Sequence, residues 1–467
     1  MTSEPKNAEA GYEKARTGET VLQRITAIRA PRILRRLELA LILFALAVGI
    51  GAVIIVDLTV LGHVSTTLLG LGIGLVVAII GLHVVVRVVA PDADPLIIPI
   101  ATFLNGIGIA QIYRIDLAVG LTGWEATSVR QIVWTIVAVI AAAAVLLIIK
   151  NHLVLFRYTY LTGLVAVILL LLPMLPGIGR EEFGARVWIS IGPFSFQPGE
   201  IAKILLAIFF AGYLVRNRDA LSMVGKKFAG ITFPRARDLG PLLVFWLAAM
   251  SVLVFQRDLG TSLLYFGLFL SMLYIATGRT GWVVLGGGLF IAGGLIASQT
   301  LDYVNRRFTN WLDPFHDAQG ASYQLVQGLF GLANGGMSGT GLGQGFPDDT
   351  PLSQSDYIIP SLGEELGLIG LFVILAAYLL FVGRGLRIGF AGQDDFGKLL
   401  AAGLAFTVAL QVFIVIGGVT RVIPLTGLTA PFLAAGGSSL ISNWIIAALL
   451  LRLSNAVRNR PKLVIRA

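Results

Sequence analysis

Long apolar runs separated by short polar segments are the feature that most limits how this chain can fold. A helix needs about twenty predominantly apolar residues to cross a bilayer, and about twelve runs of that length are present in the 467 residues. Only 13% of the residues are charged, whereas soluble domains carry roughly 25%. The sequence therefore predicts an all-α polytopic membrane protein with about twelve transmembrane helices. The runs lie near residues 37–57, 66–86, 95–115, 131–150, 158–176, 197–215, 239–256, 260–278, 281–299, 367–383, 398–418 and 429–451.

The placement of the basic residues predicts the topology. The net charge is +9, and Lys and Arg concentrate in both tails and in two loops. One of these loops contains Arg216, Arg218, Lys226, Lys227, Arg235 and Arg237. With about twelve spans these segments share one side of the membrane, and basic segments are retained in the cytoplasm. Both termini are therefore expected in the cytoplasm and residues 300–366 outside. A basic surface can also indicate nucleic-acid binding, but topology accounts for it here, so no nucleic-acid partner is expected.

The polar segment at residues 300–366 is the first place to look for chemistry. Asp313 and Asp317 are four residues apart, and two neighbouring carboxylates can split their pKa values to act as acid and base. Alternatively, both are solvated loop charges or helix caps, and a capping role is favoured for Asp313 because it precedes Pro314. His316 beside carboxylates is a weak metal signal, so no metal site is predicted. The chain has no cysteine, which excludes disulfides and thiolate metal sites.

Charged residues in or beside the apolar runs gather at the outer ends of those runs. A charge at the centre of a spanning helix costs roughly 2.5–3.5 kcal/mol, so each needs a reason. Glu200 and Lys203 are three residues apart and share one helix face. The neighbouring outer segments add Arg186, Gln256, Arg257, Asp258, Glu364, Glu365 and Arg421. Either the Glu200–Lys203 pair merely holds the bundle, or the group lines an outward cavity for a substrate with an anionic head and an oily tail. An exported solute would suit such a cavity equally well.

Several short motifs resemble, in the same order, those of the SEDS family (shape, elongation, division and sporulation), the RodA and FtsW glycosyltransferases of bacterial cell-wall synthesis. The resemblance is closer to the RodA branch, of an actinobacterial type, than to FtsW. The motifs are Gly184-Ala-Arg-Val-Trp188, Gln197-Pro-Gly-Glu-Ile-Ala-Lys203, Gln256-Arg-Asp-Leu-Gly-Thr261, Tyr323-Gln-Leu-Val-Gln327, Gly363-Glu-Glu-Leu-Gly367, Pro424-Leu-Thr-Gly427 and Gly436-Gly-Ser-Ser439.

The resemblance implies a division of the chain and a set of site residues. The chain would divide into a cytoplasmic tail at 1–36, an extra transmembrane helix pair at 37–94, the SEDS core at 95–455 and a cytoplasmic tail at 456–467. The family's essential aspartate, six residues before the Tyr-Gln pair, corresponds to Asp317 rather than Asp313. The substrate-binding residues would be Arg186, Gln197, Glu200, Lys203, Asp258, Tyr323, Gln324, Asp356, Glu364, Glu365, Arg421, Ser438 and Ser439.

The sequence departs from the family pattern at several positions. Gly199 and Arg257 stand where the family has Ser and Pro. The family segment Pro-Glu-x-His-Thr-Asp corresponds to residues 351–356, where the Glu and the His are lost and Asp356 is kept. Those two lost groups therefore carry no chemistry in this chain.

By this resemblance the chain would be a peptidoglycan glycosyltransferase that polymerises lipid II at the outer face of the bacterial cytoplasmic membrane, in elongation or division. Asp317 would be the general base on the acceptor sugar's 4-hydroxyl. Arg186, Lys203 and Arg421 would stabilise the pyrophosphate leaving group. No cofactor is certain, and a divalent cation is an alternative for that role. The implied partner is a class B penicillin-binding protein, the transpeptidase that cross-links new strands.

Two other interpretations remain open at this stage. A lipid II flippase or another twelve-helix transporter would also have many spans, but should carry polar groups near the bilayer centre, where these runs carry few. A structural scaffold for the transpeptidase is the third interpretation, and it would not need Asp317.

Overall fold

The computed structural model describes residues 7–65, 69–182, 184–191, 194–222, 227–228, 231–232 and 240–459. Some of the basic residues behind the topology prediction lie outside these ranges. They are Lys6, Lys226, Arg235 and Arg237, and the C-terminal tail from residue 460 lies outside as well.

The described chain is predominantly helical. Its α-helices are α1 (Asn7–Val60), α2 (Leu69–Val89), α3 (Ile97–Ala118), α4 (Thr127–Ile148), α5 (Leu153–Arg157), α6 (Thr159–Leu171), α7 (Pro198–Ser222), α8 (Gly240–Ser251), α9 (Leu259–Thr277), α10 (Thr280–Thr300), α11 (Asp302–Leu312), α12 (Tyr323–Gly335), α13 (Ile358–Ala391), α14 (Asp395–Val419) and α15 (Gly437–Arg458). A 3-10 turn at Leu172–Met174 continues α6, and a π-helical turn at Val252–Gln256 continues α8.

The helices fall where the apolar runs predict them. Within the described ranges, nine helices are long and apolar enough to cross a membrane, namely α1 from Leu34 onward, α2, α4, α7, α9, α10, α13, α14 and α15. The remaining three predicted runs coincide with α3, α6 and α8. The prediction of a polytopic helical membrane protein is confirmed. α1 begins at Asn7, within the segment predicted to be a cytoplasmic tail at 1–36.

The all-α prediction missed two small sheets. β1 (Gly179–Glu182), β2 (Ala185–Ile191) and β3 (Phe194–Phe196) form an antiparallel sheet in the order β1-β2-β3, and β4 (Lys227–Phe228) pairs with β5 (Ile231–Thr232). Along β2, Val187 and Ile189 are buried and alternate with the exposed Arg186 and Ser190 and the half-buried Trp188, as expected for a half-buried strand. These strands are too short for the helix-scale hydropathy pattern to reveal them.

The two N-terminal helices pack onto the rest of the bundle. α1 lies along α3, and α2 lies along α4. Gly49 of α1 faces Gly106 of α3 so closely that a Cβ added to Gly49 would lie 3.0 Å from the Gly106 Cα. Small residues permit such close approach of membrane helices. The extra pair is therefore joined to the core along most of the length of α1's spanning part.

The bundle has two ends with different contents. At the first, which we call the loop end, the N-termini of α7, α9, α13 and α15 meet the C-terminus of α14, and residues 300–366 fold over them as α11, α12 and connecting turns. At the second, the terminal end, Arg35 of α1 and Arg458 of α15 both bind the segment before α3. The predicted site residues lie at or near the loop end.

Candidate active site

A buried ion pair lies between α7, α14 and α15. Glu200 and Lys203 of α7 are 6% and 1% exposed, and Lys203 Nζ lies 2.5 Å from Glu200 Oε2. Lys203 Nζ also donates to Oε1 of Gln411 on α14 at 2.9 Å. The Ser442 hydroxyl of α15 donates to Glu200 Oε2 at 2.7 Å. We call these four residues the buried polar cluster. Each charge has both an ionic and a neutral partner, which is the condition under which a buried pair is tolerated.

The sequence around Glu200 explains why the pair forms there. Pro198 is the first residue of α7, a position where the missing N–H and the fixed φ of proline are tolerated. Glu200 lies in the first turn, where the helix dipole favours a negative charge. Lys203, one turn later, is on the same face. The backbone N–H of Gln197 donates to Ser438 Oγ at 2.9 Å and joins the start of α7 to the start of α15.

Hydrogen bonds extend the buried polar cluster to the start of α15. Gln411 Nε2 donates to the carbonyl of Thr429 at 2.8 Å, and the Thr429 hydroxyl lies 3.2 Å from Ser439 Oγ. Asn443 donates to the Ser439 carbonyl at 2.8 Å. The structure thus brings five of the predicted substrate-binding residues together, and their role stays a prediction. These five are Gln197, Glu200, Lys203, Ser438 and Ser439.

The two consecutive glutamates of α13 are buried and bind different partners. Glu364 Oε1 accepts hydrogen bonds from Asn334 Nδ2 at 2.9 Å and from the backbone N–H of Phe346 at 3.2 Å. Glu365 Oε1 accepts from Arg114 Nε of α3 at 3.1 Å, and its Oε2 accepts from a backbone N–H at 3.1 Å. Glu364 and Glu365 are 6% and 1% exposed. They organise the surrounding backbone rather than face open space.

A glycine-rich turn at residues 339–345 is the backbone that these glutamates hold. Gly339, Gly341 and Gly343 all have positive φ, a region that glycine enters without strain. Arg114 Nη2 donates to the carbonyl of Gly345 at 2.7 Å, so the same arginine binds both the turn and α13. The turn is therefore fixed from two sides.

Two further contacts fix the position of this turn. Gly367 interrupts the helical geometry of α13 with φ 67° and ψ −173°, and a Cβ there would lie 2.2 Å from the backbone nitrogen of Gly339. Only glycine fits this close approach. On the other side, the Thr59 hydroxyl of α1 lies 3.0 Å from the carbonyl oxygen of Leu342 and can donate to it. The extra N-terminal helix therefore contacts the predicted site region directly.

Arg307 of α11 lies near two predicted site carboxylates, Asp258 and Asp356. Its Nη1 donates to the carbonyls of Leu425 and Thr426 at 3.0 and 2.8 Å. Burial raises the pKa of the Asp356 carboxyl to about 6, although the nearby Arg307 charge acts in the opposite direction. Burial also raises the pKa of Asp258, again against the Arg307 charge. Two carboxyls that titrate at unusual pH beside an arginine are a common feature of functional sites.

Asp258 also has a structural role, because it is the N-cap of α9. Its Oδ1 accepts from the backbone N–H of Thr261 at 2.9 Å, and its Oδ2 accepts from the Thr261 hydroxyl. Capping by aspartate typically contributes about 1 kcal/mol. The sequence predicted that Asp258 binds substrate, and the structure shows that it also caps α9.

The two arginines predicted to bind pyrophosphate are engaged with protein groups. Arg421, which has φ 61°, donates from Nε and Nη2 to the carbonyl of Trp311 at 3.1 and 3.0 Å. Arg186 of β2 forms an exposed ion pair with Glu181 at 2.9 Å, and Arg257 lies 3.9 Å from the same glutamate. Arg186 can exchange its solvated partner for a substrate anion at little cost, because exposed ion pairs contribute little. Arg421 would have to break its hydrogen bonds to the Trp311 carbonyl at the end of α11 before it could bind a substrate anion.

Asp317 lies in an exposed turn between α11 and α12. Its Oδ2 accepts from the backbone N–H of Ala321 at 2.8 Å, and its own carbonyl accepts from the N–H of Ser322 at 3.2 Å. These contacts are local to the turn. The structure therefore leaves the Asp317 carboxylate exposed to solvent and not in the buried polar cluster.

The capping role expected for Asp313 was wrong. Asp313 stands at the C-terminal end of α11, and residues 314–322 form turns rather than a new helix. Asp313 and Asp317 therefore do not share a helix face, and an acid–base pair formed by helical spacing is excluded in this conformation.

Tyr323 and Gln324, at the start of α12, bind the segment before Asp356. Gln324 Nε2 donates to the carbonyl of Pro351 at 2.9 Å, and the Tyr323 hydroxyl lies 3.5 Å from the carbonyl of Asp349. Both side chains keep exposed surface. They hold the segment at residues 349–351 and remain accessible to a ligand.

A metal site gains no support from the arrangement of donors. In the part of the chain that the structure describes, no group of three or more histidine, aspartate or glutamate side chains is placed to hold a metal ion. A divalent cation therefore stays a proposal without a ligand set.

Three residues that contact or lie near the predicted site residues were missed in the sequence analysis. Gln411 is the buried partner of Lys203, Arg114 is the partner of Glu365, and the charge of Arg307 acts on both Asp258 and Asp356. A polar residue within an otherwise apolar run was the available signal for Gln411 and Arg114. No local pattern singled out Arg307 among the charges of the 300–366 segment.

Residues 94–459 match the family model for FtsW, RodA and SpoVE, described as "Cell cycle protein". Over 446 residues the chain is 45% identical to the peptidoglycan glycosyltransferase RodA of Mycobacterium tuberculosis, which covers 95% of both chains.

Solved structures give the same fold. The crystal structure of the rod shape determining protein RodA of Thermus thermophilus is similar with a TM-score of 0.56 and 23% identity, over 79% of this chain and 98% of that one. A chain from a structure on the coordination of polymerization and crosslinking by a peptidoglycan synthase complex is similar with a TM-score of 0.55 and 24% identity, over 84% and 98% of the two chains.

Proposed function

The chain belongs to the FtsW, RodA and SpoVE family, and from that premise we propose that it is a peptidoglycan glycosyltransferase that polymerises lipid II. The relative from Mycobacterium tuberculosis, which bears that enzyme name, matches this chain almost from end to end. The observation that carries the proposal is the combination of this match with a charged site at one end of a membrane bundle. A lipid-linked, anionic substrate requires such a location.

The buried polar cluster and the residues around Arg307 are suited to an anionic lipid-linked sugar. Lys203 supplies a desolvated positive charge, and preorganised charges act more strongly where water is excluded. Arg186 supplies an exposed one nearer the surface. Arg186 offers a contact position for the pyrophosphate that leaves the donor sugar as the new glycosidic bond forms, and the enclosed Lys203 would stabilise it through its charge.

Asp317 is the proposed general base. In its exposed turn the carboxylate can accept the proton of the acceptor 4-hydroxyl while that oxygen attacks the anomeric carbon of the donor. The bond between that carbon and the pyrophosphate oxygen breaks, and the lipid pyrophosphate leaves with the bonding electron pair. Tyr323 and Gln324 border the same turn and would orient the acceptor.

The proposed location is the bacterial cytoplasmic membrane, with both termini in the cytoplasm and the loop end outside. A cysteine-free chain makes labelling direct. Asp349→Cys at the loop end should react with an impermeant thiol reagent in intact cells, and Gln393→Cys, between α13 and α14, should react only after lysis. Both positions are exposed. The reverse labelling pattern would refute the orientation.

The proposed partner is a class B penicillin-binding protein. One structurally similar chain belongs to a peptidoglycan synthase complex that couples polymerization to crosslinking. A purified class B penicillin-binding protein should co-purify with this chain and raise its rate of polymerisation. Unchanged activity and no co-purification would exclude that protein as the partner.

The decisive experiment supplies purified lipid II to the full-length protein in phospholipid vesicles and separates the products on a gel. A ladder of glycan strands is expected. The transporter interpretation is less favoured, and it predicts movement of lipid II across the vesicle membrane with no polymer formed. A scaffold predicts neither outcome.

A further inference from the structure

A second charged region lies at the terminal end, on the membrane face opposite the proposed active site. α15 begins at the buried polar cluster and ends at Arg458, and its 22 residues span about 33 Å. At its far end a cavity of about 380 Å³ opens between α13, α15 and the segment before α3. We call it the terminal-end cavity. Its polar wall consists of Asp94, Arg384, Arg387, Ser454 and Arg458.

The charges in this cavity do not balance. Asp94 is 1% exposed and accepts from Arg384 Nε at 2.8 Å and from Arg458 Nη2 at 3.0 Å. One carboxylate therefore holds two arginines in place and neutralises one of them. Arg387 forms no ion pair or hydrogen bond with the residues that the structure describes. The wall thus carries an excess of two positive charges.

An unpartnered hydroxyl lies in the same wall. Ser454 of α15 is 1% exposed, and its Oγ has no hydrogen-bond partner among the described residues. Buried hydroxyls are normally hydrogen-bonded, and a helical serine commonly uses a carbonyl of the preceding turn. The excess guanidinium groups around the cavity match the acceptor oxygens of a phosphate group. The Ser454 oxygen is itself closed to solvent, so a small shift of α15 would be needed before its hydroxyl could add a further donor.

We propose that the terminal-end cavity binds the phosphate of an anionic ligand, and that its position against the membrane selects an anionic phospholipid headgroup. Basic pockets between transmembrane helices bind such headgroups in general. The bound lipid would bridge α13 and α15, the helices that also carry Glu364, Glu365, Ser438 and Ser439 at the other end. The proposal does not depend on the glycosyltransferase reaction.

Lipid binding can be measured on the purified full-length protein in detergent by native mass spectrometry. Short-chain phosphatidylglycerol should bind more tightly than phosphatidylcholine. Arg387→Glu, at an exposed position where folding is not at risk, should weaken phosphatidylglycerol about thirty-fold, and Ser454→Ala should weaken it by a smaller factor. The matched control is Arg87→Glu, an exposed arginine near the terminal end that lies outside the cavity.

Three outcomes would overturn the proposal or part of it. Equal binding of the two lipids by the wild type, with no inorganic phosphate retained, would refute an anion site. An equal loss in Arg387→Glu and Arg87→Glu would reduce the effect to general surface charge. Retention of inorganic phosphate, with phosphatidylglycerol bound no better than phosphatidylcholine, would overturn the lipid headgroup as the source of the phosphate. Because no lipid II is present, failure here leaves the proposed function untouched.

Discussion

The buried polar cluster and the Asp317 turn lie toward the same end of the bundle and are held in different ways. Glu200 and Lys203 are enclosed by three helices, and each has partners contributed by a second helix. Asp317 is exposed, and its side chain is held by one N–H four residues away. Charged side chains that are kept out of water need fixed partners on neighbouring helices. A general base that accepts a proton from a mobile sugar must instead be reachable from solvent. The comparison suggests that fold and catalysis can be separated by mutation.

Removal of the proposed base should have the largest effect on activity and the smallest on the fold. Asp317→Asn should lower polymerisation of lipid II by about 10²–10⁴-fold, the usual contribution of general-base catalysis, with an unchanged thermal midpoint in detergent. Asp313→Asn, in the same exposed segment, is the control and should keep most of the activity. If Asp313→Asn were inactive and Asp317→Asn active, the assignment would be wrong.

Removal of the buried cation should damage the fold itself. Lys203→Met leaves Glu200 as an uncompensated buried charge, which should cost about 3–5 kcal/mol of stability. A lower thermal midpoint and less folded protein are expected. The double variant with Glu200→Gln removes both charges and should recover part of the loss. A Lys203→Met protein as stable as the wild type would mean that the pair is not part of the frame.

Asp356 is less exposed than Asp317 and less enclosed than Lys203, and it should make the stability of the protein depend on pH. Its pKa in the folded chain is about 6, above the ordinary 3.8, so the folded state holds the proton more tightly than the unfolded state. Stability should therefore fall as pH rises from about 4 to about 6 and become level above that. Asp356→Asn should flatten this part of the stability profile. An identical slope in wild type and variant would show that another group titrates there.

The contact from α1 should have the smallest effect. Thr59→Val removes the hydroxyl beside the Leu342 carbonyl, and one hydrogen bond contributes about 0.5–1.5 kcal/mol, so polymerisation should fall by less than about ten-fold. Thr300→Val is the matched control, because the Thr300 hydroxyl binds only a carbonyl of its own helix. Equal activity of both variants would mean that this contact of α1 does not contribute to polymerisation.

The fold was predictable because a bilayer imposes a length scale on the sequence. Runs of about twenty apolar residues have few alternatives to spanning helices, and each run overlaps a helix, although α15 begins at Gly437, eight residues after the start of the last run. The sheet formed by β1, β2 and β3 was missed because its strands have only three to seven residues each and lie outside that scale.

The site was predictable only where its partners are close in sequence. Glu200 and Lys203 lie one helical turn apart, so their pairing follows from helix geometry. The partner of Lys203, by contrast, is 208 residues away, and the partner of Glu365 is 251 residues away. Such pairs depend on how the helices are arranged in space, and the spacing of residues in a single sequence does not predict that arrangement.

The interruption of α13 at Gly367 has a consequence for how the chain enters the membrane during synthesis. The helical part after Gly367, residues 368–391, is roughly 36 Å long, enough to cross the hydrocarbon by itself. The two glutamates precede the break. The insertion machinery can therefore sort the later part by its apolarity, without drawing two carboxylates through the bilayer centre. One glycine separates the segment that anchors the chain from the segment that carries its charges.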